Sequence, residues 1–325
     1  MSSGAASLPQ HGSTVDAAWT LLRAASALAE GLDRNGRIEV FGEDELHGVR
    51  PLSGGDGRRA VLAWHPGVGW ESQLSPNDDR SELLGLYLPI CSATSTRPLT
   101  IGHLGQSLDG FIATPSGDSQ TVTGSDNIIH MHRLRALCDA VLVGAGTVAA
   151  DDPLLTTRHV TGANPLRVIF DPRRRLTPDF RVFADRTAPA LYICERSRIA
   201  PGETHIGCAV IAPIDDGEPG DEASQALRLL RARGCSRVLV EGGGVTVSRF
   251  LEANLLDRLQ IAIAPVLIGN GRPAVRLMPQ LRLSDCRRPG YRVFRMGGDV
   301  LFDCDLTLKA ESTPEAAPGT VNRII

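Results

Sequence analysis

Apolar side chains recur along this chain with two different rhythms, one before and one after a Pro-terminated stretch at 92–98. In the first part, Val15, Ala18, Trp19, Leu22, Ala25 and Ala29 fall at helical spacing behind the candidate caps Ser13 and Thr14. They predict an amphipathic helix stopped at Gly31. Two strand-like runs follow, Arg37–Phe41 and Arg59–Trp64, separated by a Gly-rich loop at 53–57, and then the apolar run Leu83–Ile90. Residues 1–13 are small and polar and predict disorder, as does the aperiodic tail 311–325.

Beyond the linker, short apolar strands alternate with amphipathic helices. Strands are predicted at Leu99–Leu104, Ala140–Val143, Arg167–Phe170, Ala190–Cys194, Ala209–Ile211, Arg237–Val240, Leu259–Ala264 and Val300–Leu306. Helices are predicted from Ser125 to about Cys138, over Glu222–Arg233 with Gly234 as its stop, and over Val245–Ala253. Such alternation implies an α/β fold with a mostly parallel central sheet and helices on both faces, preceded by a small N-terminal α+β extension. The expected domains are therefore 1–96, 97–310 and a flexible tail at 311–325.

Composition narrows the class. Hydrophobic residues make up 42% of the 325 and charged residues 22%, ordinary for a globular chain with a full core. The net charge of −3, with both signs interspersed, argues against a nucleic-acid-binding face. No apolar run reaches the roughly 18 residues of a membrane span, and no basic-then-apolar leader opens the chain. The seven cysteines are scattered without a C-x-x-C pair, which points to reduced thiols, no metal site and a cytoplasmic setting.

Two glycine loops are candidate phosphate cradles. Val143-Gly144-Ala145-Gly146-Thr147-Val148-Ala149 leaves a strand as G-x-G-x-x-A, and Asp171 ends the next strand where a dinucleotide-binding unit keeps its ribose acid. Asp151-Asp152-Pro153 follows too soon for the long helix of that unit, so a plain Rossmann reading fails. Val240-Glu241-Gly242-Gly243-Gly244-Val245-Thr246 is the better diphosphate site, because a helix starts directly after three glycines. Glu241 ends a central strand on the edge where open α/β sheets bind ligands. Asp151 and Asp152 are either paired carboxylates or the shapers of a turn. Arg135 and Arg158 are candidate phosphate forks, and Arg173-Arg174-Arg175 a candidate for a 2′-phosphate or a solvated loop. His103, His130 and His132 have no metal spacing and default to packing or surface roles.

Taken together, these residues resemble the pyrimidine reductase family of riboflavin biosynthesis. The matching pieces stand in that family's order: Ser107-Leu108-Asp109-Gly110, Leu134-Arg135-Ala136, the Gly144 loop, Asp151 to Arg158, Pro165 to Asp171, Glu241 to Gly244, and Ala264-Pro265 with Gly269. The resemblance covers 97–310. It implies a dihydrofolate-reductase-like fold, NADPH as cofactor, and hydride transfer to C1′ of a ribosylaminopyrimidine 5′-phosphate, as in a 5-amino-6-(5-phosphoribosylamino)uracil reductase. It further implies substrate contacts from Ser119, Arg135, Leu155, Arg158 and Glu241. Cofactor contacts are implied from Gln106, Thr121, Gly144, Gly146, Thr147, Asp151, Pro172 and the stretch from Gly242 through Val245 and Thr246 to Arg249. Asp151, Glu241 and His103 are the expected catalytic set, and a homodimer the expected assembly.

Three departures stand out. His103 replaces a usual lysine, Thr121 replaces an aromatic residue, and residues 1–96 lack the H-x-E and P-C-x-x-C motifs of the zinc deaminase that bifunctional members carry. Deaminase activity is therefore not expected. Two other readings of the same residues are a same-fold reductase of a different heterocycle and a non-catalytic nucleotide-binding protein.

Overall fold

The computed structural model describes residues 11–44, 47–53, 57–120, 122–217 and 220–309. The chain divides into two compact units, Met1–Thr96 and Arg97–Ile325.

The first unit runs α1 (His11–Asn35), β1 (Glu39–Asp44), β2 (Gly48–Pro51), β3 (Ala60–His65), β4 (Gly69–Ser72) and α2 (Ser81–Cys91). Its four strands form an antiparallel sheet in the order β2-β1-β3-β4. α1 starts earlier than its predicted caps and passes through Gly31, because a lone helical glycine costs only about 1 kcal/mol. It stops before Gly36, whose φ of +63° continues no helix. Trp70 packs between Phe41 and Trp64, with ring centroids 5.2 and 5.3 Å away, and its indole N–H donates to the Ala25 carbonyl of α1 at 3.0 Å. Both short strands β2 and β4 escaped the hydrophobic pattern. The first ten residues and most of the Gly-rich loop (54–56) lie outside the described residues, as does the tail.

The second unit begins with β5 (Leu99–Ser107), β6 (Phe111–Ala113), α3 (Ser125–Leu137), β7 (Ala140–Gly144), α4 (Ala145–Asp151), β8 (Leu166–Phe170), α5 (Arg181–Ala184) and β9 (Ala190–Glu195). It continues with β10 (His205–Ile206), β11 (Ala209–Ile214), α6 (Glu222–Ala232), β12 (Arg237–Val240), α7 (Gly244–Glu252), β13 (Arg258–Ala264), β14 (Arg272–Pro273), β15 (Pro289–Met296) and β16 (Asp299–Lys309). Ten strands form one sheet in the order β10-β11-β9-β8-β7-β12-β5-β13-β16-β15. The seven from β11 to β13 are mutually parallel, and β10, β16 and β15 add antiparallel edges.

The expected mostly parallel sheet is thus present. Its central strands are continuous apolar runs because both faces are covered: every residue of β7 is buried, and one core joins Leu142, Val168 and Val240 to Leu227 and Leu230 of α6 and Phe250 of α7. From the adjacent pair β7–β12 the chain moves outward in opposite directions, through β8, β9 and β11 on one side and β13 and β16 on the other. The carboxyl ends of that pair form the crevice where a ligand binds in such sheets.

Candidate active site

A cavity of about 400 Å³ opens at this crevice. Gly144 and Phe170 supply the ends of β7 and β8, and Gly242 follows β12. The two glycine loops therefore meet in one wall, and the residues between them are packed main chain against side chain. A Cβ on Gly144 would sit 2.1 Å from Thr246 Oγ1, and one on Gly244 would sit 1.8 Å from the Ala274 carbonyl oxygen. At Gly242, φ is +97°. Gly146 differs: an added Cβ there would meet nothing within 4 Å. Its open side belongs to the cavity.

Of the expected cofactor residues, the cavity wall includes Gly144, Gly146, Thr147, Asp151 and Pro172, together with Gly242–Thr246 and Arg249. The Gly243 N–H already donates to Thr147 Oγ1 at 2.8 Å, so that amide is used to join the two loops. Gln106 is half-buried on β5 and is not on the wall, and Thr121 lies outside the described residues. α4 is a helix of only seven residues, in keeping with the early Asp151-Asp152-Pro153 that leaves no room for a long one. The longer α7, capped by Gly243, points its N-terminal amides at the cavity.

Four arginines line the cavity among the described residues: Arg175, Arg249, Arg272 and Arg276. The last three form no ion pair among those residues, and Arg249 lies over the Phe170 ring at 5.8 Å from its centroid. Arg272 and Arg276 were missed in the sequence because they stand in the irregular stretch after β13. Their only signal was two cations flanking Pro273-Ala274-Val275. That stretch reaches the site through the pairing of β14 with β6 and through close backbone approaches at Gly244 and Gly271. Within the triple-arginine run, only Arg175 reaches the wall, while Arg174 pairs with Glu203.

On the other side of the crevice, Arg135 and Glu241 meet each other. Arg135 donates from Nη2 to Glu241 Oε1 at 2.6 Å and from Nε to Oε2 at 3.2 Å, with 11% and 4% of the two side chains exposed. Arg135 also donates from Nη1 to the Thr156 carbonyl at 3.2 Å, and Arg158 donates to the Thr156 hydroxyl at 2.9 Å. Leu155 is buried with φ +57°, and Asp152 has φ +40°. Two such residues in one loop cost about 1–3 kcal/mol each and persist only where neighbours hold them. Arg181 does so at Asp152, taking its carbonyl at 2.6 and 2.9 Å while donating its own N–H to the carboxylate at 2.7 Å. Arg167, fully buried, reaches the Leu154 carbonyl at 3.4 Å.

Asp152 is therefore a turn-shaper and not half of a carboxylate pair. Asp151 alone faces the cavity, where partial burial raises its pKa against the lowering effects of Arg272 and the Ser119 hydroxyl.

One expectation needs correction. His103 was a candidate catalytic group, but it is buried and absent from the cavity wall. Its Nε2 meets Asn127 Oδ1 at 3.1 Å, and its ring stacks at 5.2 Å on His130, itself bonded to Gln260 at 3.0 Å. Burial pushes the His103 pKa down to about 4, so its ring is neutral. Asp171 holds no ribose site: fully buried, it accepts the N–H groups of Arg175 and Leu176 at 2.6 and 3.0 Å and the Tyr192 hydroxyl at 2.8 Å. All three reach Oδ2, while Oδ1 faces Arg175 Nε at 3.4 Å, so the carboxylate closes a tight turn and holds a buried phenol. Asp109, from the Ser107–Gly110 motif, likewise closes a turn, accepting the Gly269 N–H at 2.6 Å. Among the described residues no group of three or more His, Cys, Asp or Glu is arranged to hold a metal ion, and no helix is long and apolar enough to cross a membrane.

The profile of the RibD C-terminal domain matches residues 98–293. The chain belongs to the RibD C-terminal domain family. Over 217 residues it is 35% identical to the 2,5-diamino-6-ribosylamino-4(3H)-pyrimidinone 5′-phosphate reductase of Methanothermobacter thermautotrophicus, an alignment covering 64% of this chain and 97% of that one. It is 33% identical over 180 residues to the riboflavin biosynthesis protein RibD of Aquifex aeolicus, covering 55% of this chain and 49% of that one. The chain thus spans about half the length of that RibD relative. Among solved structures it superposes on the Thermotoga maritima diaminohydroxyphosphoribosylaminopyrimidine deaminase/5-amino-6-(5-phosphoribosylamino)uracil reductase. There the TM-score is 0.56 with 27% identity, over 70% of this chain and 61% of that one. The RibD family match and the large, mostly parallel sheet agree with the α/β fold with helices on both faces expected from sequence.

Two outcomes follow for this member of the RibD C-terminal domain family. Gly146→Val projects into the open cavity without touching packed atoms. It is expected to leave the melting temperature within about 2 °C and to weaken dinucleotide binding at least ~10-fold, read by fluorescence titration. An unfolded histidine binds its proton near 6.5 and folded His103 near 4. The unfolded chain therefore holds more protons between those values, and stability falls as pH drops from 6.5 toward 4. His103 accounts for roughly 3 kcal/mol of that loss, and His103→Asn is expected to lessen the slope of the melting-temperature profile over this range without abolishing it, because burial lowers His130 and His132 as well.

Proposed function

We propose that this protein reduces a ribosylaminopyrimidine 5′-phosphate to the ribitylamino product, with NADPH as hydride donor. The observation that carries the reading is the joining of both glycine loops, the α7 N-terminus and four arginines around one cavity beside the Arg135–Glu241 pair. The relatives named as pyrimidinone phosphate and phosphoribosylaminouracil reductases support the same substrate class.

The residues present fit the cofactor. The wall at Gly146 leaves room for it, the amides at the start of α7 and Arg249, Arg272 and Arg276 would hold its diphosphate, and the largely exposed Arg175 would take an extra phosphate on the adenosine ribose. When bound, NADPH supplies the hydride, and the protein supplies position and protons. Glu241, held rigid by Arg135, offers acceptor oxygens to the N–H edge of a pyrimidine. Arg158, with no carboxylate partner among the described residues, takes the 5′-phosphate. Asp151 is the acid nearest the cavity. Burial raises its pKa, and in the proposed reaction its carboxyl would deliver a proton to the sugar ring oxygen as the bond from C1′ to that oxygen breaks.

A cytoplasmic homodimer completes the proposal. Support for the dimer comes from an apolar run at the surface, with Met278, Leu281 and Leu283 exposed by 71, 99 and 77%, in the segment that leads into the open edge strand β15.

The deciding experiment is loss of reduced-nicotinamide absorbance when the protein is mixed with NADPH and the aminopyrimidine phosphate. Turnover is expected, and tight cofactor binding without turnover would defeat the substrate assignment. Arg175→Ala is expected to weaken NADPH binding about 10–100-fold while sparing NADH, as for the loss of one charge-assisted phosphate contact. Leu281→Asp is expected to convert a dimer to a monomer in light scattering. A wild type that elutes as a monomer would remove the dimer from the proposal.

A further inference from the structure

The loop that carries Leu155 and Arg158 is held at nearly every residue. Arg181 takes Asp152, Arg167 takes Leu154, Arg135 takes Thr156, and Asn164 accepts the Thr157 N–H at 2.8 Å. The last tether is a histidine to which the sequence reading gave only a default packing or surface role. His132 lies on α3 three residues before Arg135 and is buried. Its Nδ1 accepts the backbone N–H of Arg158 at 2.9 Å. An Nδ1 that accepts belongs to a neutral ring with its proton on Nε2. The edge of the ring stands against His159, with centroids 4.5 Å apart.

The charged and titratable groups that face His132 are Arg135 on its own helix and Arg158 and His159 on the loop. Burial first, then these cations, lower its pKa to about 4, so the acceptor persists through the neutral range. Burial followed by Arg135 and Arg181 also lowers the pKa of Arg158, which records three guanidinium groups converging. Arg135 is paired with Glu241 and Arg181 with Asp152, whereas Arg158 has no carboxylate partner among the described residues, which leaves its guanidinium as the open cation of an anion clamp.

We propose that His132 is a positioning residue of this clamp, fixing the Arg158 backbone so that its guanidinium stands beside Arg135 to receive the substrate phosphate. The inference rests on the phosphorylated substrate proposed above. It assigns His132 no contact with substrate, and its role is to hold an amide.

Asn and Gln separate this role from simple packing. The Asn Oδ1 can reach the place of Nδ1, whereas the Gln carbonyl reaches the place of Nε2 and leaves the Arg158 N–H without its acceptor. His132→Gln is expected to raise KM for the aminopyrimidine phosphate at least ~10-fold, keep kcat within about twofold, and leave NADPH affinity and KM for the dephosphorylated nucleoside unchanged. His132→Asn is expected to restore the wild-type KM. Equal kinetics for the two variants, or equal losses with phosphorylated and dephosphorylated substrates, would overturn the proposal. A second readout does not depend on turnover: the affinity for inorganic phosphate, by calorimetry, is expected to fall in His132→Gln and Arg158→Ala but not in His132→Asn. If the wild type fails to reduce the aminopyrimidine phosphate yet phosphate binding follows this order, the substrate reading fails and the role of His132 stands. Phosphate affinity unchanged in His132→Gln sinks it.

Discussion

The bidentate contact between Arg135 and Glu241 ties the site together. Glu241 ends a buried central strand, where a lone carboxylate would cost several kcal/mol in desolvation. The guanidinium offsets that cost and draws α3 against the carboxyl edge of the sheet. Its remaining nitrogen reaches the Thr156 carbonyl, so the same cation also anchors the loop that follows α4. Strand end, helix and loop acquire fixed relative positions from one side chain. Removal of either partner leaves a buried charge behind, which explains why this spot combines rigidity with polarity.

The strained loop is the complement of that anchor. Left-handed backbone at Asp152 and Leu155 turns the chain sharply enough to bring Arg158 back toward α3. Arginines from β8 and α5 hold the bend from outside, and α3 holds it from inside. A flexible loop would lose side-chain and backbone entropy on each ligand encounter, whereas this one has already lost it during folding.

Much of the fold could be read in the chain because the parallel strands are apolar throughout and the glycines fall at their ends. β7, β8 and β12 were legible for that reason, whereas the meeting of their loops was not. The strands missed include those whose side chains face solvent or whose length gives no period: β2, β4, β6, β10, β14 and the edge strand β15, with Tyr291 exposed. Site residues divide in the same way. Gly146, Asp151 and Glu241 announce themselves by type and place. Arg272 and Arg276 do not, since only three-dimensional contacts, the pairing of β14 with β6 and the close approach of Gly244 to Ala274 among them, carry them to the cavity. His103 misled because it sits where a ligand group belongs in one dimension, yet it is buried and its Nε2 is engaged by Asn127.

The close approach of Gly244 to the Ala274 carbonyl has a consequence for how such a protein can diversify. One wall of the cleft joins glycine backbone so closely to neighbouring side chain and main chain that replacement there has little freedom. Arg175, Arg249, Arg272 and Arg276 line the same cavity as ordinary side chains. Change in what the cleft accepts is therefore channelled to such side chains, while the glycine seam stays as it was.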